Sequence, residues 1–199
     1  MTTVDFYFDF SSPNAYFAAV QLKRITKKEK GISVDWKPVF LGGIMKNLET
    51  TPPAMQNELK ANYLLEDLKR WGKEYEIPFN FPSDFPVNSL EALRAFLVLG
   101  KTSSVNAVPF ARRVFERAWV DDTDVSRLDV LRECLPNDVK PEFTIEDEIK
   151  RDDIKDELKQ RTDDAMDRGV FGCPTFFVDD EMFWGKDRLG FVKRRLGVE

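Results

Sequence analysis

The chain has 199 residues, 42% hydrophobic and 33% charged, with 17 Phe and 4 Trp, so it can build one large core and does not have a disordered composition. A net charge of −5 argues against a broad nucleic-acid surface. There is no histidine, and the two cysteines, Cys134 and Cys173, lie far apart outside any CxxC; this excludes Ser-His-Asp and Cys-His catalysis, His-based metal sites and an internal dithiol cycle.

Val4, Phe6 and Phe8 alternate with their neighbours, which predicts a strand over 3–9. Ser12 is a natural N-cap and Pro13 a natural first helical residue. Helical spacing runs on through Tyr16, Phe17, Val20 and Arg24 towards Gly31. Ile32, Val34 and Trp36 alternate again, completing a βαβ unit whose right-handed crossover makes its strands parallel. LGGIMKNLETTPP reads as a turn-rich connection, and 54–76 as one long helix. PFNFPSDFPVN reads as an irregular loop, followed by helices at about 88–100, 104–119, 126–135 and 144–168; Pro109 is expected to kink or restart the second. TFFVDDEMFW predicts an antiparallel hairpin turning at Asp179-Asp180, and GKDRLGFVKRRLG a closing helix.

No run approaches the ~20 apolar residues of a membrane helix, so no membrane insertion is expected. No basic-then-apolar leader precedes the first strand, and RRLGVE carries no lipidation or peroxisomal signal; the expected location is cytoplasmic.

The order βαβ, helices, ββα is that of an α/β, thioredoxin-like fold interrupted by an all-helical insertion. It divides the chain into 1–50, a helical domain over 51–168, and 169–199. In that fold the first strand-to-helix turn is the working site. A thiol:disulfide oxidoreductase would read Cys-Pro-x-Cys there; this chain reads Ser12-Pro13-Asn14-Ala15. A plain helix cap would look the same. The second mark is GVFGCPTFFV, where a cis Cys173–Pro174 bond entering the third strand would leave the backbone N–H and C=O of Cys173 free to pair with an extended peptide. An ordinary loop proline is the bland alternative. The third is FWGKDRL, where Lys186-Asp187 opens the last helix. Backbone N–H groups at a helix start hold carboxylates, and the Asp187 carboxylate can hold an ammonium group, as a γ-glutamyl moiety would require. A capped surface helix would again look alike.

DFSSPNAYFA, KPVFLGGIMK, KANYLLEDLKRW, FPVNSLEALRA and GVFGCPTFFVDDEMFWGKDRL together span nearly the whole chain. On these motifs the chain resembles the kappa-class glutathione transferases and their relatives, the 2-hydroxychromene-2-carboxylate isomerases. The resemblance implies an enzyme that uses glutathione as co-substrate or cofactor, without a metal. It implies a homodimer acting on a small, aromatic electrophile. Ser12 matches the family's catalytic serine. Cys173 and Pro174 match the cis-proline pair whose backbone holds the glutathione cysteine. Lys186 and Asp187 match the γ-glutamyl end, where kappa enzymes often carry Ser in place of Lys186. Lys60 matches a lysine near the glycine carboxylate, and Thr50 falls where kappa enzymes often have Asn.

A free thiol has a pKa of about 8.5. A Ser12 hydroxyl aimed at sulfur and the positive end of the helix starting at Pro13 would together lower it by about one to two units. Three functions follow. FLGGIMK and the TTPP turn place a kappa-type transferase first. An isomerase using glutathione as a reversible nucleophile is the alternative, and a non-catalytic thioredoxin-scaffold binding module the third. Phe85 and Asn88 are candidates for the acceptor-site wall, against loop packing. The Cys173 sulfur reads as a small buried hydrophobe, with a mixed disulfide as the competing role.

Overall fold

The structure, a computed structural model, describes residues 2–102, 104–137, 139 and 144–198. Four strands form one sheet in the order β2-β1-β3-β4, with β1 Thr2–Phe8, β2 Ile32–Pro38, β3 Thr175–Val178 and β4 Glu181–Trp184. β1 and β2 run parallel, with Phe6 opposite Trp36; β3 is antiparallel to both β1 and β4, with Phe6 opposite Phe176. The βαβ and hairpin readings therefore hold. The sheet joins the two ends of the sequence, because β1 pairs with a strand about 170 residues later.

α1 spans Pro13–Lys28. Its sequence supplies each determinant: Ser12 caps it, Pro13 sits in its first turn, and Lys27 and Lys28 lie in the last turn, where the helix dipole favours cations. It buries Ala15, Tyr16, Phe17, Ala18, Ala19, Leu22 and Ile25.

The connection after β2 is not the turn its two glycines suggested. LGGIMKN forms α2, Leu41–Asn47. The glycines are needed by packing rather than by turning. A Cβ on Gly42 would come within 2.9 Å of the Phe40 ring, and one on Gly43 within 3.1 Å. The helix start is also anchored from outside, as the Phe40 N–H donates to Thr162 Oγ1 at 2.9 Å and the Leu41 N–H to Asp9 Oδ2 at 2.7 Å.

The single helix expected over 54–76 begins later. A 3₁₀ turn at Pro53–Met55 precedes α3, Glu58–Glu74, because the Asn57 side chain accepts the Lys60 N–H and caps the helix there. α4 is Leu90–Thr102 and α5 Ser104–Trp119. α5 runs through Pro109 without restarting; the proline lies in its second turn, where it removes one intrahelical donor. α6 is Leu128–Glu133. The helix expected over 144–168 is two, α7 Ile145–Glu148 and α8 Asp152–Asp167. The break falls at Arg151, whose guanidinium bonds Glu148 and Asp153, so that Asp152 and Asp153 open a new helix at its positive end. A 3₁₀ turn at Lys186–Arg188 leads into α9, Leu189–Arg195.

One apolar core links sheet and helices. Phe8 meets Trp36 from β2, Phe96 from α4 and Phe115 from α5, with ring centroids 5.2–5.9 Å apart. Phe115 also meets Phe10, whose carbonyl accepts the buried Trp119 indole N–H at 2.9 Å. These contacts fix the end of β1, and hence the turn after it, against α5. On the other face of the sheet, Arg168 lies 3.8 Å over the Phe177 ring and pairs with Asp5. Among the described residues no helix is long and apolar enough to cross a membrane.

Candidate active site

The turn from β1 into α1 and the approach to β3 meet at Ser12 and Cys173. Ser12 is only 4% exposed. Its extended backbone (φ −100°, ψ 114°) aims the side chain at the first turn of α1, where Oγ accepts the Ala15 N–H at 3.2 Å. The same hydroxyl donates to the carbonyl of Cys173 at 2.9 Å, across 161 residues of sequence. The Cys173–Pro174 peptide is cis, as the sequence suggested.

The expectation of a free Cys173 backbone needs correction. Its carbonyl is engaged by Ser12, because a buried carbonyl beside a buried hydroxyl pairs with it. Its N–H has no partner among the described residues. The flanking carbonyls are satisfied by the protein itself: Gly172 accepts the Thr175 hydroxyl at 2.7 Å, and Pro174 accepts the Gly185 N–H at 2.9 Å.

Behind this turn lies a group that the motif reading missed. Asp9 is fully buried. Its Oδ1 accepts the Ser11 N–H at 2.8 Å and its Oδ2 the Leu41 N–H at 2.7 Å, while the buried Ser89 hydroxyl also bonds to it. One carboxyl thus ties the Ser12 turn to the start of α2 and to the residue before α4. Loss of water raises its pKa, and these hydrogen bonds counter part of the rise. The available signal was an acidic residue at the end of an apolar strand, three positions before the cap. The Cys173 thiol is pushed well above its ordinary value, first by burial and second by the charge of Asp9. It is therefore a poor nucleophile, which supports the reading of its sulfur as a buried hydrophobe.

At the closing turn, Gly185 has φ +102°, and a Cβ there would come within 2.6 Å of Asp187 Oδ1. The Asp187 carboxylate is half-exposed and pairs with Arg188 at 2.5 Å. Lys186 is only 7% exposed. Its Nζ lies 4.9 Å from the centre of the Trp71 ring, and its carbonyl accepts the Tyr75 hydroxyl at 3.3 Å, so it fastens the closing turn to α3. Burial lowers its pKa, countered by Asp67 and Asp187.

The remaining candidates lie elsewhere on the surface. Lys60 is exposed on the first turn of α3, its amine donating to Gln56 at 2.7 Å. Thr50 is exposed, with its N–H closing the end of α2 on the Met45 carbonyl. Phe85 packs on Phe81 with centroids 5.0 Å apart, and Asn88 Oδ1 accepts the Leu90 N–H at 3.3 Å. Asn88 also lines a surface depression of about 210 Å³ whose walls include neither Ser12 nor Cys173.

Chemically, the meeting of Ser12, the α1 N-terminus and Cys173 offers a hydroxyl donor, a positive dipole end with no acidic residue in its first turn, and an N–H without a partner among the described residues. The family model of the DSBA-like thioredoxin domain matches residues 3–197. A 2-hydroxychromene-2-carboxylate isomerase from a Pseudomonas species is 33% identical over 98% of this chain and 90% of its own length. A glutathione S-transferase kappa 1 from Caenorhabditis elegans is 28% identical over 95% of this chain and 88% of its own. The solved structure of a 2-hydroxychromene-2-carboxylate isomerase superposes with a TM-score of 0.84 at 28% identity, covering 98% of this chain and 94% of that one.

Proposed function

We propose that this chain, which belongs to the DSBA-like thioredoxin domain family and within it to the group of 2-hydroxychromene-2-carboxylate isomerases and kappa-class glutathione transferases, is a glutathione-dependent enzyme. The observation that carries the reading is the buried Ser12 hydroxyl set between the α1 N-terminus and the residue before the cis-proline. Glutathione fits these residues, because a cysteinyl peptide needs backbone partners and a donor for its sulfur. When bound, it supplies the thiolate nucleophile.

The chain's own residues do the rest. Cys173 offers its N–H and C=O to the ligand backbone. Ser12 donates a hydrogen bond to the sulfur. The α1 dipole favours the thiolate over the thiol by roughly 0.3–1 kcal/mol when exposed and up to ~2 kcal/mol when partly buried. Asp187, Lys186, Lys60 and Thr50 are carried forward as the more distant contacts of the same ligand, and Phe85 with Asn88 as an acceptor-side wall. A homodimer and a cytoplasmic setting, where glutathione keeps thiols reduced, belong to the same reading.

The higher identity to the isomerases, 33% against 28%, favours reversible addition over net conjugation. Assays with an aromatic chloronitro electrophile and with 2-hydroxychromene-2-carboxylate, each with and without reduced glutathione, separate the two. Isomerisation that needs glutathione without consuming it supports the isomerase; stoichiometric loss of glutathione supports the transferase. Turnover in neither assay, or turnover indifferent to glutathione, contradicts the reading.

A further inference from the structure

The Ser12 hydroxyl has one proton and two claims on it. Here the proton goes to the Cys173 carbonyl at 2.9 Å, while the lone-pair side takes the Ala15 N–H at 3.2 Å. A carbonyl oxygen can accept twice, but a hydroxyl can donate only once. To serve a sulfur, the hydroxyl must leave the carbonyl, and that carbonyl belongs to a residue only 8% exposed. A buried acceptor left without a donor is disfavoured, so the hydroxyl leaves readily only when another donor takes its place.

The local bonding points to the replacement. The Gly172 and Pro174 carbonyls are already held by Thr175 and Gly185. Cys173 combines a carbonyl held by the candidate catalytic hydroxyl with an N–H that has no partner among the described residues. At a hydrogen-bonded position of an antiparallel pair, the two opposed residues exchange both N–H···O bonds. A cysteine residue in peptide linkage carries the amide N–H for the Cys173 carbonyl, the C=O for its N–H, and the thiol.

We propose that the Cys173 carbonyl is an exchange point: the amide N–H of the ligand's cysteine displaces the Ser12 hydroxyl and so frees it to turn to the ligand's own sulfur. The site therefore activates thiols carried by cysteinyl peptides more strongly than simple thiols, or peptides lacking that N–H, which meet only the α1 dipole. This inference rests on the glutathione-dependent reading above.

The test compares two ligands on the intact protein at saturation, following thiolate absorbance against pH. One is reduced glutathione. The other is its ester analogue, with oxygen in place of the cysteine amide N–H. Glutathione is expected to show about tenfold more thiolate near neutral pH than in free solution, a shift of about one pKa unit. The ester analogue is expected to keep only the smaller shift that the α1 dipole supplies, clearly less than that of glutathione. An analogue shifted as far as glutathione overturns the exchange while leaving the glutathione reading intact. No binding or no shift for glutathione itself overturns both. A crystal structure of the glutathione complex supplies a second readout. Ser12 Oγ within hydrogen-bond distance of the sulfur, with the ligand N–H on the Cys173 carbonyl, supports the exchange; Ser12 Oγ still on that carbonyl and away from the sulfur overturns it.

Discussion

At the scale of single residues, Ser12 and Asp9 carry the site in different ways. Ser12→Ala removes the α1 cap, typically about 0.5–2 kcal/mol, and leaves the Cys173 carbonyl without its donor. Chemical denaturation should therefore read a loss of about 1–3 kcal/mol. An unchanged midpoint would mean that neither hydrogen bond contributes in solution. Asp9 accepts backbone N–H groups on both carboxyl oxygens, which Asn cannot do because one of its terminal atoms is itself a donor. Asp9→Asn should cost about 1–3 kcal/mol at neutral pH. The raised pKa adds a signature. The folded state holds the Asp9 proton to higher pH than the unfolded chain does. Stability from this group is thus greatest at low pH, falls as pH rises from the ordinary carboxylate range through the raised value, and is flat above it. The stability difference between wild type and Asp9→Asn should follow that sign, and the opposite slope would show a carboxylate held low by its donors. Ser12 was legible in the sequence because a Ser-Pro helix start has a local pattern. Asp9 was not, because its partners Leu41 and Ser89 are distant in sequence and meet it only after folding.

At the scale of elements, the closing turn depends on Gly185. With φ +102° and Asp187 Oδ1 within 2.6 Å of where a Cβ would lie, Gly185→Ala introduces both a left-handed backbone penalty of roughly 1–2 kcal/mol and a clash. A thermal melt should fall by several degrees, with a larger effect on glutathione affinity than a change at Lys60, which sits apart on α3. An unaltered melt would show that the turn relaxes freely. Strand elements were the most legible, since Val4, Phe6 and Phe8 keep a period of two and the TFFV–DD–EMFW hairpin carries its own turn. The helix LGGIMKN was hidden because its glycines answer to the Phe40 ring, a contact that local propensity does not register. The division at Arg151 was hidden for a related reason: a charge arrangement, not a Gly or Pro, ends one helix and starts the next.

At the scale of the whole molecule, the aromatic cluster of Phe8, Trp36, Phe96 and Phe115 ties the sheet to helices that lie between its strands in sequence. Tryptophan fluorescence and far-UV circular dichroism should therefore follow a single coincident unfolding transition. Two separated transitions would show the helical block folding independently. Trp119→Phe, which leaves the Phe10 carbonyl unpaired two residues before Ser12, should shift that shared midpoint and weaken ligand binding together. The overall order βαβ, helices, ββα was readable because the two ends of the chain carry strand patterns and the middle does not. That Ser12 and Cys173 share a hydrogen bond across the fold was not, since it depends on the register of β1 against β3.

The central claim is that this meeting point activates a bound thiol. The most direct measurement is the pH titration of thiolate absorbance for reduced glutathione at saturation, with wild type and Ser12→Ala side by side. The account predicts a bound-thiol pKa about one unit or more below that of free glutathione, returning upward in Ser12→Ala. An unshifted pKa in wild type, or the same lowered value in both proteins, would contradict it.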